Sequence, residues 1–421
     1  MLGRLRSLPL LAPLRNVRFR RYWTGSVVSQ LGDFALFVAL PFYVYTITGS
    51  VVSTGSVFVV QTVPQVLLAP LAGTLVDRWD VRHVLIWCNG AQAIVLLSLL
   101  AVHGSGQIWL IYVVALLEAV GTVFTTPAAG VMVHTVVSPD GLASANALES
   151  VGVDLARLLG PPVGGLLFGA GGLFAVVIVD AASFGFAAAA ALAMGRSSSD
   201  HVGRMPEASE ERTLVGRVLR DMASGISTAA SNASLRLIFG AVAFVFLGQG
   251  VLNVMLVPLV RHHLGGSATD LGLLLAGQAV GGIGGGLIVG SLRVAPGRMG
   301  AGGCLGAGVA VAALANSPSL LVGIACMAVA GVAAMAVLVG ITTILQSSAP
   351  PSHLGRVFSL FSAWLTLFTL GGLGIATGTG TGLGPVVLLD IAAVLIAVGG
   401  VLAVRLARIS ANTPLGQGQP S

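Results

Sequence analysis

The sequence predicts an all-α membrane protein of twelve transmembrane helices, arranged as two pseudo-symmetric bundles of six. Three observations predict it. The chain is apolar along its whole length, its basic residues crowd into alternate loops, and its two halves repeat one another at a fixed offset. Of 421 residues, 55% are hydrophobic and 9% charged, and the mean hydropathy is +0.96. Such a balance excludes an ordinary water-soluble domain.

A bilayer core of about 30 Å takes roughly 20 mainly apolar residues as a helix. Six such stretches fill the first half, at residues 24–46, 53–76, 83–103, 108–132, 147–170 and 172–194. Six more follow at residues 237–260, 269–292, 299–316, 319–345, 355–377 and 384–404, of which the ninth to eleventh are rich in glycine. The chain holds 58 glycines, which in a membrane let helices approach closely and bend.

Orientation follows from arginine, which supplies all 21 basic residues. Six precede the first span (Arg4, Arg6, Arg15, Arg18, Arg20, Arg21) and six lie between the sixth and seventh (Arg196, Arg204, Arg212, Arg217, Arg220, Arg236). Arg78, Arg82, Arg293, Arg298, Arg356, Arg405 and Arg408 fall on the same side, leaving Arg261 opposite and Arg157 within the fifth span. The positive-inside rule then places both termini and the central loop in the cytoplasm of a bacterial cell, and explains the net charge of +6 without nucleic acid. No cleavable signal peptide is expected, because no short apolar core with a small-residue cleavage site follows the N-terminal arginines. Cys88, Cys304 and Cys326 sit in apolar sequence without metal-ligand spacing and read as structural thiols.

The chain divides accordingly into an N-terminal arm (1–23), a first bundle (24–194), a polar linker (195–236), a second bundle (237–405) and a tail (406–421). Within the linker, Leu214, Val218, Leu219 and Met222 have the spacing of an amphipathic helix lying along the inner membrane face. At an offset of 217 residues, Pro41, Gly49, Ser50, Gly55, Gln61 and Gly73 recur as Pro258, Gly266, Ser267, Gly272, Gln278 and Gly290. Two homologous halves account for that run.

These features together resemble the major facilitator superfamily over nearly the whole chain. GTLVDRWDVRH, residues 73–83, is similar to the superfamily's loop signature through Gly73, Asp77, Arg78 and Arg82, with Asp80 where a second glycine is usual and His83 at the last basic position. GSLRVAPGRMG in the second half keeps Gly290, Arg293 and Arg298 but has no acid. The resemblance implies a cytoplasmic latch: Asp77 accepts hydrogen bonds from a helix start in the other half, near Ser352, while Arg78 and Arg82 hold nearby acids and lipid headgroups. ARLLGPPVGGLL resembles the fifth-helix motif of proton-exchanging exporters through Gly160, Pro161, Gly164 and Gly165, with Pro162 as an extra break. Residues 16–41 look like the opening of the branch containing enterobactin exporters and macrolide or tetracycline efflux proteins. The fourth-helix arginine motif of many drug exporters is missing, and ALLEAVGT with Glu118 stands there instead.

Charges at membrane depth cost about 2.5 to 3.5 kcal/mol each on insertion scales, so each should face a cavity or a partner. Ser26, Ser29, Gln30 and Asp33 share one helical face and form a polar stripe on the first span. Asp33 is therefore the leading proton-coupling candidate, and Glu118, followed by Thr122 and Thr125, is the second. Asp154 and Arg157, three residues apart, are expected to pair locally, with Arg157 also able to meet Asp33 or Glu118. Asp180 and Asp390 read as structural acids bonded to neighbouring helices. Phe37 in the first half, with Gln249, Asn253, Gln278, Phe361, Trp364, Thr366 and Phe368 in the second, completes the candidate substrate contacts.

The reading that follows is a secondary active exporter of a small amphipathic compound such as a drug, siderophore or secondary metabolite, working by proton antiport and alternating access. Its partners are that substrate, protons and the bilayer. No cofactor or metal is expected, and the chain is expected to act as a monomer in the cell membrane. A lysophospholipid flippase or an importer of the same fold stays open. No nucleophile elbow, zinc-protease motif or phosphate loop supports an embedded enzyme, and scattered polar residues fit an alternating cavity better than a channel.

Overall fold

The computed structural model describes residues 9–195, 227, 233–292, 294–348 and 354–412. The linker helix, the helix start near Ser352 and Arg293 lie outside the described residues. Among those described the chain is helical throughout, with α1 (Val17–Thr48), α2 (Val51–Val76), α3 (Val81–Leu97), α4 (Ile108–Val136) and α5 (Leu142–Ala193) in the first half. The second half runs through α6 (Ala233–Pro258), α7 (Ala268–Ser291), α8 (Pro296–Ala315), α9 (Leu320–Ser348), α10 (Leu354–Thr379) and α11 (Pro385–Asn412).

Eleven of the described helices are long and apolar enough to cross a membrane. The count falls one short of twelve because α5, at 52 residues, runs through the fifth and sixth expected spans without a hydrogen-bonding gap. It is nonetheless two helices. Gly171 leaves the helical region and Gly172 has φ +63°, ψ −159°, a conformation open to glycine and strained for any other residue, so the chain turns there. Side chains such as Trp87, Leu287 and Leu321 are 74%, 77% and 76% exposed. Apolar exposure on that scale along whole helix faces suits lipid, not water.

Local signals fix the helix ends. Asn16 caps α1, accepting from the Arg18 and Phe19 amides, and its Nδ2 donates to the Val136 carbonyl at 2.8 Å, tying α1 to the end of α4. Gly49, with φ +62°, terminates α1. Ser50 caps α2 through the Ser53 amide, and Ser267 stands at the start of α7 in a reciprocal box with Asp270. Helices α2 and α7 thus start at Val51 and Ala268, the same offset as the sequence repeat. Packing repeats too. In the first half α1 lies against α5, α2 against α4, and α3 against α4 and α5; in the second, α6 lies against α10 and α11, and α8 against α9 and α11.

The chain forms two compact units, residues 1–211 with 265–276 and residues 212–264 with 277–421. The first turns of α7 belong to the first unit because they cross the proline-bearing part of α5 at backbone contact: a Cβ on Gly165 would lie 2.6 Å from the Ala268 oxygen, and one on Gly272 2.8 Å from the Pro161 carbonyl carbon. Thr269 Oγ1 donates to the Gly165 carbonyl there at 3.0 Å. The second unit packs around Leu235, Ile238, Val242, Cys304, Ile341 and Leu345.

Candidate functional site

The first unit holds a cavity of about 340 Å³. Along its helices the cavity falls between two apolar clusters, one built on Phe19, Val81, Met132 and Met194, the other on Ala39, Leu40, Leu96, Ile111 and Val177. The polar stripe of α1 faces it as spacing requires: Ser26, Ser29, Gln30 and Asp33 all line the wall. Gln30 Nε2 donates to Ser26 Oγ at 2.9 Å and Ser29 Oγ to the Ser26 carbonyl at 3.1 Å. Helix α4 contributes Thr122, Thr125 and Thr126, whose hydroxyls turn back onto carbonyls of their own helix.

Glu118 sits one turn behind Thr122 and is 9% exposed. Gln92, on the cavity wall and 4% exposed, donates from Nε2 to Glu118 Oε2 at 3.1 Å and to the Glu118 carbonyl at 3.2 Å. The amide can lie there because Gly121 has no side chain; a Cβ would come within 2.7 Å of Gln92 Cδ. Gln92 Oε1 and Glu118 Oε1 are both buried without a hydrogen-bond partner.

Asp180 departs from its expected role. Fully buried on the second arm of α5, it accepts from Ser183 Oγ of its own turn at 3.2 Å instead of bonding a neighbouring helix, and its Oδ2 has no partner. It packs over Gly32, where a Cβ would lie 2.5 Å from Ser183 Oγ and inside contact distance of Asp180 Oδ1. Asp33, Glu118 and Asp180 are within electrostatic reach of one another. Glu149, with Asn89 and Tyr22, is a wall residue that the sequence reading missed; Tyr22 Oη donates weakly to Glu149 Oε2 at 3.5 Å and Glu149 Oε1 is unpartnered. None of these four acids has an ion-pair partner among the described residues, where His83 and Asp80 form the salt bridge found.

Asp154 and Arg157 do not pair. Both are exposed, on the face of α5 turned away from the buried row Leu148, Gly152, Ala156 and Gly160, and the Arg157 guanidinium instead lies 5.8 Å over the Phe34 ring. Neither lines the cavity. Phe37 is also outside it, packed edge-on against Phe58.

The charged loop is built differently from the expectation for its bases. Asp80, where the signature has glycine, caps α3 by accepting from the Arg82 and His83 amides. Arg82 is buried, and its Nε and Nη2 donate to the Ala191 and Leu192 carbonyls at 3.0 and 2.7 Å. Arg21 Nη1 bonds the next carbonyl, Ala193. Arg82 thus holds the C-terminus of α5, where the dipole is negative and the Ala191 and Leu192 carbonyls otherwise receive only the long bonds of the Met194 and Gly195 amides at 3.3 and 3.4 Å, and not acids or headgroups. Asp77 and Arg78 are exposed after Gly73 at the end of α2.

In the second unit Gln249 Nε2 donates to Asn253 Oδ1 at 3.0 Å, and Asn316 Nδ2 to Asp390 Oδ1 at 3.1 Å, the latter joining two helices as expected. Trp364 is occupied in packing: its Nε1 donates to the Phe239 carbonyl at 2.9 Å, and its ring contacts Phe239 and Phe368. Phe361 is buried beside them, and Gln278 is half-buried where Gly331 meets its backbone.

Two six-pass halves with matching packing, a charged loop after α2 and a glycine-proline crossing in α5 accompany a family-profile match that makes the chain a membrane transporter of the major facilitator superfamily. Over residues 9–414 the sequence matches the profile of the transmembrane secretion effector family, to which the chain belongs. It is similar to macrolide efflux protein A of Streptococcus pyogenes, 22% identical over 84% of this chain and 86% of that protein, and to macrolide efflux protein A of Enterococcus faecalis, 22% identical over 72% and 94%. Its fold is similar to the crystal structure of a bacterial homologue of the iron transporter ferroportin in an inward-facing state, with a TM-score of 0.72 at 16% identity over 93% of this chain and 98% of that one. A bacterial homologue of the lysosomal transporter Spinster gives a TM-score of 0.67 at 17% identity over 95% and 96%.

Proposed function

We propose that the chain is a secondary active exporter of a small amphipathic compound, a drug, siderophore or secondary metabolite, driven by proton antiport through alternating access. The observation that carries this reading is the first-unit cavity, with Asp33 on its wall and Glu118 behind Gln92, and with no basic side chain among its lining residues. A carboxyl there that binds a proton in one conformation and releases it in another links proton flow to the conformational cycle. Export is supported by the tight crossing at Gly160, Pro161, Gly164 and Gly165 and by the macrolide efflux proteins among the relatives. A macrolide or a compound of similar bulk is the first substrate to try. Both termini are assigned to the cytoplasm and the protein to the bacterial cell membrane, as a monomer.

The test is transport by purified protein in proteoliposomes, with and without an imposed pH difference. Extrusion that speeds up with an opposing proton gradient is expected. Equal rates in both conditions would replace antiport by facilitated diffusion.

A further inference from the structure

We propose that the first unit carries, around Arg157 on the faces of α1, α2 and α5, a binding site for the anionic group of an amphipathic organic acid: a carboxylate, sulfonate or phosphate on an apolar body. The site names a substrate class for the transporter read above, and rests on that reading.

Arg157 stands near the middle of the first arm of α5, with about 20 Å of helix to either side at 1.5 Å per residue, and its side chain is exposed. A guanidinium at that depth cannot snorkel to either membrane surface, so this face meets water or a ligand, not lipid. Among the described residues it lies over the Phe34 ring, 5.8 Å from the centroid, and has no hydrogen-bond or ion-pair partner. The ring contact satisfies none of its N–H donors. Asp154, exposed one turn nearer the helix start, forms no ion pair with it.

One turn beyond Phe34 on α1, Phe37 meets Phe58 of α2 edge-on, with ring centroids 5.6 Å apart. The two helices run antiparallel, joined at Gly49 and Ser50, so the turn after Phe58 brings Gln61 back to the level of Phe34. Gln65 follows a turn later and is exposed, and neither amide has a hydrogen bond among the described residues. Unused N–H groups on three helices thus border an aromatic surface. Guanidinium and amide donors hold oxyanions through paired hydrogen bonds, and the rings take the apolar body. A cation would meet like charge at Arg157, and a neutral compound would leave that charge uncompensated.

Pyrenebutyrate and pyrenebutanol, which share a body and differ in the carboxylate, are the probes. Equilibrium binding of each to the full-length protein is measured in a neutral detergent at about pH 8, where the carboxylate is ionised, with empty micelles subtracted. Pyrenebutyrate is expected to bind saturably and at least about tenfold more tightly than the alcohol. Arg157→Gln should weaken pyrenebutyrate about tenfold and leave the alcohol unchanged, and Arg157→Lys should fall between. Equal binding of the two probes, or wild-type pyrenebutyrate affinity in folded Arg157→Gln, overturns the proposal. Should Arg157→Gln fail to fold, the Gln61→Leu, Gln65→Leu double variant is measured, and pyrenebutyrate affinity unchanged there overturns it equally. Competition identifies the source of the anion: displacement of pyrenebutyrate by lysophosphatidylglycerol alone assigns the site to a lipid headgroup, displacement by naphthoate alone to a soluble organic acid, and displacement by neither overturns the site. Binding is read with no gradient present. Loss of the anion site would thus leave gradient-driven export standing, and absence of gradient-driven export would leave the anion site standing.

Discussion

Gln92 reaches from α3 to Glu118 on α4 and gives one amide group to both its carboxyl and its backbone, at 3.1 and 3.2 Å. With Thr122 Oγ1 also 3.5 Å away, that NH₂ is the centre of a buried polar knot between two membrane helices. Gln92→Leu removes the donor and keeps the bulk. It should lower stability by about 1–3 kcal/mol, because the Glu118 oxygen that it served stays buried. Gly121→Ala reaches the same knot by another route, pushing Gln92 with a new methyl. Thermal unfolding in detergent checks both, and a melting temperature unchanged in the pair would show that the knot contributes nothing.

The loop after α2 separates stability from transport. Arg82→Ala leaves the Ala191 and Leu192 carbonyls only the long bonds from the Met194 and Gly195 amides, at 3.3 and 3.4 Å, and should destabilise the first unit by about 1–3 kcal/mol. Arg82→Lys should rescue only part of that, since an ammonium cannot reproduce the two-pronged geometry of the guanidinium. Asp77 is exposed at the end of α2, so Asp77→Asn should leave the melting temperature unchanged and slow transport. Wild-type transport in that variant would remove the loop's acid from the gating machinery.

The crossing of α1 and α5 makes a third comparison. A Cβ at Gly164 would lie 2.6 Å from the Ala35 Cα, with α1 backbone on every near side, whereas one at Gly185, on the same α5, meets nothing within 4 Å. Gly164→Ala should therefore cost about 1–3 kcal/mol through overpacking and impair transport, while Gly185→Ala should do neither. Matching melting curves and transport rates for the two variants would reduce the glycine-proline motif to sequence without packing consequence.

How far the site is legible depends on whether one helix or several make it. The stripe Ser26, Ser29, Gln30, Asp33 is readable because each member follows from helical spacing on a single span, and all four reach the cavity. Glu149 is not so readable, because Asp154 and Arg157 nearby offer a more conspicuous local pair. The signal was in the small residues: Ala145, Gly152, Ala156 and Gly160 mark the buried face of α5, Glu149 borders it, and Asp154 lies off it. Asn89 and Gln92 likewise continue a stripe from Leu85 to Leu96 on α3. Asp180 has no such cue, since its place over Gly32 exists only once α1 and α5 are packed. The fold was legible from length and hydropathy, including the break between the fifth and sixth spans, where Gly171 and Gly172 turn the chain without ending its helical hydrogen bonding.

The last prediction separates a proton exchanger from a facilitator with a structural acid. Asp33→Asn fixes that side chain in a neutral form of nearly the same shape. If Asp33 carries the exchanged proton, the substitution should abolish the response of efflux to a pH difference while downhill exchange continues, because the two conformations no longer differ in proton affinity at that position. A structural acid predicts otherwise: stability and every transport mode fall together, and what activity remains still follows the gradient. Efflux from proteoliposomes at matched protein content, with and without the pH difference, distinguishes them, and the melting temperature reports the stability arm. Gradient-driven efflux that persists in Asp33→Asn would transfer the role to Glu118, which the Gln92 amide already holds beside the cavity wall. Persistence in the double variant with Glu118→Gln would leave Asp180 and Glu149, the other two of the four acids described at and around the cavity. Asp180→Asn and Glu149→Gln, added in turn to that background, would then show whether any carboxyl there couples to the proton.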